Sequence, residues 1–534
     1  MPPATETTPL LAPGLLPLSL SSPSLSPSPS PSPSSSNPPS KPVPAKPKAK
    51  TTPPPKTPFP PSQKRLIILT ASLASTFSPL SSNIYYPALI ALASDLHVSP
   101  SQINLTITTY MVCQALSPTL TATLSDTHGR RPAYILCLSL YIASNIALSQ
   151  VHSYKSLLLL RGLQSTGISG TVALAAAVAA DIIEPAERGM YMGFTSLGNI
   201  LAPSLGPVLG GVITGSRFGW RGVFGVLAGA GIVVLGVLVV VLPETRNASP
   251  SCKKRAGGQE QEQGQGSEST PACTDGLVKK QRNLAVLNPF ASLRLLGHRP
   301  TGLILLSNGL VFASYYAVTA GIPAQFKRLY GLEDMGIGLV FVPAGVGSLV
   351  SAAFCGKAVD RNYRKVQREY QETRRSADRS RTRTDQEFPI ERARLQIGGP
   401  MTLLSALAIL LYGVVLDLRP PLVVALILIF LVSFSITASY NVMNVLLVDL
   451  YYSTPATVMA TNNFVRCFLG AASTALVTPM IERFGNGRTY GLVSAVIAVV
   501  CWPILGMVYA NGVQWRVQRE SERNRGLGES DGTV

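Results

Sequence analysis

The chain has 534 residues, 46% of them hydrophobic and only 13% charged. An ordinary soluble domain carries about 25% charged residues, so this depletion excludes a purely water-facing surface and assigns the largest surface to lipid. The formal charge of +18 does not indicate nucleic acid, because the basic residues crowd into tails and particular loops with no aromatic-basic interleaving.

Residues 1–64 are dominated by Ser, Pro, Thr and Ala, as in Ser26-Pro-Ser-Pro-Ser-Pro-Ser. Such a segment cannot bury enough apolar area to offset its ordering entropy and is expected to be a disordered cytosolic tail. It does not read as a signal peptide, since the weakly apolar stretch Leu10 to Leu20 contains prolines and has no basic residue before it.

From Leu66 onward, twelve apolar segments are long enough to cross ~30 Å of hydrocarbon, which takes about 20 helical residues. They lie near 66–87, 104–124, 132–150, 156–178, 189–213 and 221–242, then 301–322, 335–356, 397–416, 421–445, 457–481 and 488–510. The expected organisation is all-α: a six-helix bundle over 65–242, a polar linker over 243–300, a second six-helix bundle over 301–510 and a tail over 511–534. Within the second bundle, residues 361–396 are read as a basic loop.

Charge sets the orientation. With the N-terminus in the cytosol, the cytosolic tails and loops hold 35 of the 45 Lys and Arg residues, so both termini are expected to be cytosolic. The seven cysteines are scattered with no CxxC pair, which implies neither a disulfide framework nor a metal site. There is no GxxxxGK[ST] and no HExxH, so ATP hydrolysis, an enzyme activity and a cofactor are not expected.

Two short stretches repeat one pattern: Ala122-Thr-Leu-Ser-Asp126-Thr-His-Gly129-Arg130-Arg131 and Gly356-Lys-Ala-Val-Asp360-Arg361-Asn-Tyr-Arg364-Lys365. Both follow an apolar segment at the cytosolic side, the second and the eighth. Duplication of a membrane-edge loop points to two related halves and to alternating access. Asp126 can pair with Arg130 or Arg131, and Asp360 with Arg361 or Arg364. Each carboxylate also suits the start of a neighbouring helix, for which Glu184-Pro185 and Ser453-Thr454-Pro455 are candidates.

The fifth segment carries Gly198, Ala202, Gly206 and Gly210, each four apart, a flat stripe that lets helices approach closely in lipid. Pro203 and Pro207 invite a bend. Arg161 in the fourth segment and Arg466 in the eleventh are functional candidates, because an arginine within the bilayer is costly without a partner or a wet cavity. No Asp or Glu lies deep in any segment, so a central site would be electropositive and would favour anionic or neutral polar cargo. Further polar candidates for the pathway are Tyr85, Tyr86, Tyr110, Gln164, Asn199, Asn308, Tyr315, Tyr316, Tyr440, Asn441, Asn444, Asn462 and Asn463.

The first aspartate loop resembles the signature between helices 2 and 3 of the major facilitator superfamily. Arg161 with Gln164 resembles its helix 4 motif, Gly206-Pro207-Val-Leu-Gly210-Gly211 its antiporter motif, and Leu242-Pro243-Glu244-Thr245 the helix 6 ending of fungal twelve-helix drug:proton antiporters. Phe77 to Leu89, Phe388-Pro-Ile-Glu-Arg-Ala-Arg394 and Asn462-Asn463-Phe-Val-Arg466 resemble the quinidine-resistance and citrate-exporter subgroup. Ala122, Thr127, Ser165 and Tyr363 depart from the usual pattern.

The resemblance implies a major facilitator fold of two pseudo-symmetric six-helix bundles and a monomer that exports a small organic substrate against protons. It implies gating through Asp126 and proton coupling involving Arg161, with Asp126 and Asp181 as candidate carriers. Multidrug or metabolite efflux at the plasma membrane is the first expectation. Export of a citrate-like acid is the alternative for cargo, the vacuolar membrane the alternative for location. A non-transporting sensor rests only on the Ser/Pro-rich tail and the Arg-rich loop.

Overall fold

A computed structural model describes residues 60–182, 202–203, 205–245, 296–297, 299–379, 388–451 and 455–531. Helices α1 (Pro61–Asn83), α2 (Pro100–His128), α3 (Arg130–Ser149) and α4 (Tyr154–Ile182) are followed by the short apolar helix α5 (Leu205–Thr214) and by α6 (Gly219–Val241). The second half holds α7 (Arg299–Tyr330), α8 (Asp334–Arg379), α9 (Ile390–Asp417), α10 (Leu422–Leu450) and α11 (Pro455–Phe484). The last helix, α12, runs as Asn486–Val496, a π-helical turn Ile497–Cys501 and Trp502–Asp531. These twelve described helices fall, in order, on the twelve expected segments and are consistent with an all-helical, multi-pass membrane protein.

Nine of the described helices are apolar enough by composition alone to span a bilayer; α1 and α2 are more polar. Their hydroxyls are consumed locally. Thr70 donates to Leu66 O, Ser72 to Ile68 O and Thr76 to Ser72 O, all at 2.7–2.9 Å, so few polar groups are left unpaired in hydrocarbon.

The breaks between helices follow local chemistry. Helix α2 opens with Pro100 at its first position and a reciprocal cap in which Gln102 N donates to Ser99 Oγ and Ser99 N to Gln102 Oε1. It ends at Gly129, whose φ of +104° favours glycine and whose absent Cβ leaves room for the Glu244 carboxylate. That carboxylate accepts from Arg130 N at 2.9 Å and Arg131 N at 3.2 Å, an anion on the exposed donors of α3.

One region departs from the sequence reading. The basic segment expected as a loop over 361–396 is largely helix, because α8 continues without a break to Arg379. At 46 residues and 1.5 Å per residue it is about 69 Å long, far more than the hydrocarbon thickness. The segment after 510, for which the sequence reading named no secondary structure, is helical as far as Asp531.

The ends of α2, α4 and α10 and the Asp360 turn within the long α8 meet the starts of α3 and α9 at one end of the bundles, the triad end. At the opposite end the two halves are bridged. Asn104 donates to Thr478 Oγ1 at 2.5 Å, Thr319 to Tyr86 Oη at 3.5 Å, and the Tyr86 ring stacks on Phe341 at 5.6 Å.

The glycines of α5 work on two sides of that helix. Gly206 and Gly210 lie against Asn83 and Ile84 of α1, where a Cβ would strike backbone atoms. Gly211 lies against Asp334 and Gly338 of α8, and a Cβ on Gly338 would sit 2.7 Å from Pro207 O. One small-residue surface therefore fastens α5 within its own bundle and across to the other.

Candidate functional site

Arg161 is fully buried on α4. Its guanidinium carbon stands over two rings, 4.0 Å from the Tyr85 centroid and 4.4 Å from that of Tyr110. Nη1 donates to Gln164 Oε1 at 2.6 Å, and Gln164 Nε2 donates on to Asn145 Oδ1 at 2.7 Å. Arg161 Nε and Nη2 are buried without a hydrogen-bond acceptor among the described residues. Contact with a desolvated ring is worth about 2 kcal/mol or more per contact, which offsets part of the cost of a cation that no carboxylate neutralises. Of the two expected means of accommodating a membrane arginine, a partner or a wet cavity, Arg161 has partners: the Tyr85 and Tyr110 rings and Gln164.

Arg466, on α11, is only partly buried. It donates from Nη2 to Asn463 Oδ1 at 2.7 Å, makes a long contact of 3.5 Å with Tyr440 Oη, and leaves Nε unpartnered. Its guanidinium stands 5.0 Å from the Phe312 ring, which packs 4.5 Å from Tyr440, 5.5 Å from Tyr315 and 5.2 Å from Tyr316. No Asp or Glu pairs with it among the described residues. One turn away, Asn308 donates to Asn444 Oδ1 at 2.8 Å and to Asn462 Oδ1 at 2.9 Å, and Asn462 donates to Asn444 Oδ1 at 2.8 Å. Asn308 Oδ1 is left as a buried, unpaired acceptor.

The structure thus collects Arg466, Asn463, Tyr440 and Tyr315 around Phe312, and Asn444 with Asn462 around Asn308. Gly470 joins this region to the first half: a Cβ there would strike Met111 and Tyr316. Met111 is next in sequence to Tyr110, so one turn of α2 touches both the Arg161 site and α11. Asn199 and the proline-started turn at Glu184-Pro185 lie outside the described residues.

At the triad end, Arg130 Nη1 donates to Asp126 Oδ1 at 2.7 Å and Arg130 Nε to Asp181 Oδ2 at 3.0 Å. The second half reproduces this with a different arginine. Arg394 Nε donates to Asp449 Oδ2 at 2.9 Å, and its Nη1 stands 4.0 Å from Asp360 Oδ1. The expected pairing of Asp360 with Arg361 or Arg364 is overturned: both arginines point outward from α8, whereas Arg394 on α9 occupies the place that Arg130 holds on α3. Arg131 is taken up by Val239 O at 2.7 Å.

Each triad joins three consecutive helices of one half, so it ties that half together. Sequence reading missed Arg394, Asp449 and Glu244 as members of these networks. Arg394 follows Asp360 at a spacing of 34 residues, an insertion that hides the four-residue spacing seen between Asp126 and Arg130.

The family model described as Major Facilitator Superfamily matches residues 71–475. The chain is 39% identical over 477 residues to MFS-type transporter phiD of a fungal species, an alignment covering 85% of this chain and 69% of that protein. It is 33% identical over 472 residues to citrate exporter 1 of Aspergillus niger, covering 88% and 89%. Among solved structures it resembles a D-xylose–proton symporter with TM-score 0.60 at 16% identity, over 82% of this chain and 97% of that one. It also resembles the human organic anion transporter MFSD10 with TM-score 0.54 at 18% identity, over 84% and 100%. At such identities the last two establish a common fold.

Proposed function

The chain belongs to the Major Facilitator Superfamily, and on that premise we propose that this transporter is a secondary exporter of small organic anions, driven by proton entry in exchange. The observation that carries the reading is Arg466. It is a partly buried guanidinium in mid-membrane with an aromatic wall, an unpartnered Nε and no carboxylate of its own among the described residues. A planar guanidinium offers a two-point grip on a carboxylate, and the adjacent asparagine trio offers amide groups to further oxygens. A cargo bearing two or more carboxylates supplies the missing counter-charge. The 33% identical citrate exporter supports the same class of cargo.

Proton coupling is proposed at the first triad. Asp126 and Asp181 share Arg130; protonation of either carboxylate removes one ion pair from that end of the bundle and loosens it. The bridges at the far end correspond to the stage of alternating access in which cargo enters from the triad end. With both termini in the cytosol and the protein in the plasma membrane as a monomer, that stage faces inward.

The rival is broad drug efflux, which the small-residue antiporter stripe of α5 favours. Transport into inside-out vesicles separates the two. Arg466→Gln should raise KM for carboxylates at least tenfold while Arg466→Lys falls between it and the wild type. Unchanged transport of every carboxylate tested, with lost efflux of cationic drugs, assigns the protein to the rival class.

A further inference from the structure

The lipid-facing edge of α8 continues directly into a row of unpaired cations. Leu339, Val342, Val346, Val350 and Phe354 are exposed apolar residues spaced three or four apart, so they share one face of the helix. The same spacing continues through Lys357, Arg361, Arg364 and Arg368, all exposed. None of these four has an ion-pair partner among the described residues. Of their acidic neighbours, Asp360 stands 4.0 Å from Arg394 and Glu369 stands 3.8 Å from Lys365, while Glu372 lies a turn beyond Arg368. The four cations line a recess of about 540 Å³ together with Lys365 and with Asp360, Glu369 and Glu372, so five cations there outnumber three carboxylates.

The opposite face of this arm is braced. Asn362 donates to Ala393 O at 2.7 Å, and Tyr363 and Tyr370 pack edge-on against Phe388 at 5.2 and 5.5 Å. The cationic row is therefore held on a rigid element whose direction α9 fixes.

We propose that this row docks on the anionic phospholipid headgroups of the leaflet at the triad end. Three facts favour headgroups over a soluble partner. The row is the direct extension of the surface that the hydrocarbon covers. At 1.5 Å per residue, Lys357 lies about 5 Å and Arg361 about 11 Å past Phe354, within or just beyond a headgroup layer about 5–8 Å deep. Helical Cβ atoms tilt toward the N-terminus, which for this arm is the bilayer side, so the long side chains of Arg364 and Arg368 lean back toward the phosphates. Juxtamembrane Lys and Arg near an anionic surface each contribute about 1 kcal/mol, about fivefold in binding.

The test titrates the purified full-length protein, in neutral detergent, with dioctanoyl phosphatidylinositol 4-phosphate, dioctanoyl phosphatidylcholine, the free inositol bisphosphate headgroup and a polyglutamate peptide. The wild type should bind the anionic lipid at least tenfold tighter than the other three, and that binding should weaken as salt is raised. The combined variant Lys357→Gln, Arg361→Gln, Arg364→Gln and Arg368→Gln should lose at least tenfold. A variant with Arg361→Lys, Arg364→Lys and Arg368→Lys should stay within threefold of the wild type. Salt-independent binding by the wild type overturns the proposal whatever the variants' folding. So does a free headgroup or peptide that binds as tightly as the lipid, or a glutamine variant that binds like the wild type.

Discussion

Arg394 Nε donates to Asp449 Oδ2 at 2.9 Å, matching in the second half the 3.0 Å bond from Arg130 Nε to Asp181 Oδ2 in the first. The two arginines lie near the starts of corresponding helices, α3 and α9, and each is approached by an aspartate of the preceding helix, Asp126 near the end of α2 and Asp360 within the long α8. The symmetry is nevertheless unequal. Arg130 is 2.7 Å from Asp126, whereas Arg394 is 4.0 Å from Asp360 and lies over the Tyr363 ring at 4.5 Å. The first triad is closed by charge on both sides, and the second exchanges part of that charge for an aromatic contact.

This inequality predicts different sensitivities. Arg394→Met should leave Asp449 without its described ion pair and cost about 1–3 kcal/mol, since the pair is only partly buried. Asp360→Asn should cost less than about 0.5 kcal/mol, whereas Asp126→Asn should cost about 1 kcal/mol. Thermal unfolding in detergent ranks the three; an Asp360→Asn protein as unstable as Arg394→Met would refute the inequality.

Glu244 is predicted to act as a cap on α3. Glu244→Gln weakens the charge on the two bonds to Arg130 N and Arg131 N and should lower stability by about 0.5–1 kcal/mol. Glu244→Ala should lower it by about twice that. Hydrogen exchange at the first turn of α3 reports the effect directly, and unaltered protection in the alanine variant would rule the cap out.

The α5–α8 crossing predicts a contrast between two glycines of α8. Gly338→Val places its Cβ 2.7 Å from Pro207 O and 3.0 Å from Gly211 Cα, forcing the far end apart. Transport should fall at least tenfold with the fold retained. Gly336→Val meets only the Leu332 side chain, at 3.4 Å, and should keep at least half of the wild-type rate. Equal loss in both variants would show that helix propensity, not the crossing, matters.

The Arg161 site predicts that shape matters beyond charge. Arg161→Lys keeps the cation but lacks a plane to set over Tyr85 and Tyr110, so its transport rate should fall about tenfold or more. Gln164→Leu leaves Arg161 Nη1 without its acceptor and should destabilise by about 1–3 kcal/mol. A lysine variant that transports at the wild-type rate would dismiss the stacking as incidental.

Much of this arrangement was legible before any coordinates, for identifiable reasons. Lipid leaves helices no polar surface to hide, so the twelve crossings showed as apolar length. Arg161 and Arg466 were conspicuous because a charge inside such a segment has no trivial explanation. What was hidden depends on distance in sequence. Arg394 is separated from Asp360 by the long α8 arm, Glu244 is more than a hundred residues from the α3 start it caps, and Asn145 gave no sign that Gln164 would reach it. The arm itself differs from its reading as a loop because a run of densely charged, arginine-rich residues carries no apolar stripe along its length. Its helix is held by Tyr363 and Tyr370 against Phe388, contacts that no local pattern announces.

The central claim is that proton entry drives an organic anion outward through a site containing Arg466. Its most direct measurement is carboxylate flux in proteoliposomes containing the purified full-length protein, with and without an imposed pH gradient. The account predicts that a gradient delivering protons to the triad-end side accelerates tricarboxylate movement in the opposite direction at least tenfold, and that Arg466→Gln removes most of that acceleration. Tricarboxylate flux indifferent to the gradient, or equally fast in Arg466→Gln, would contradict it.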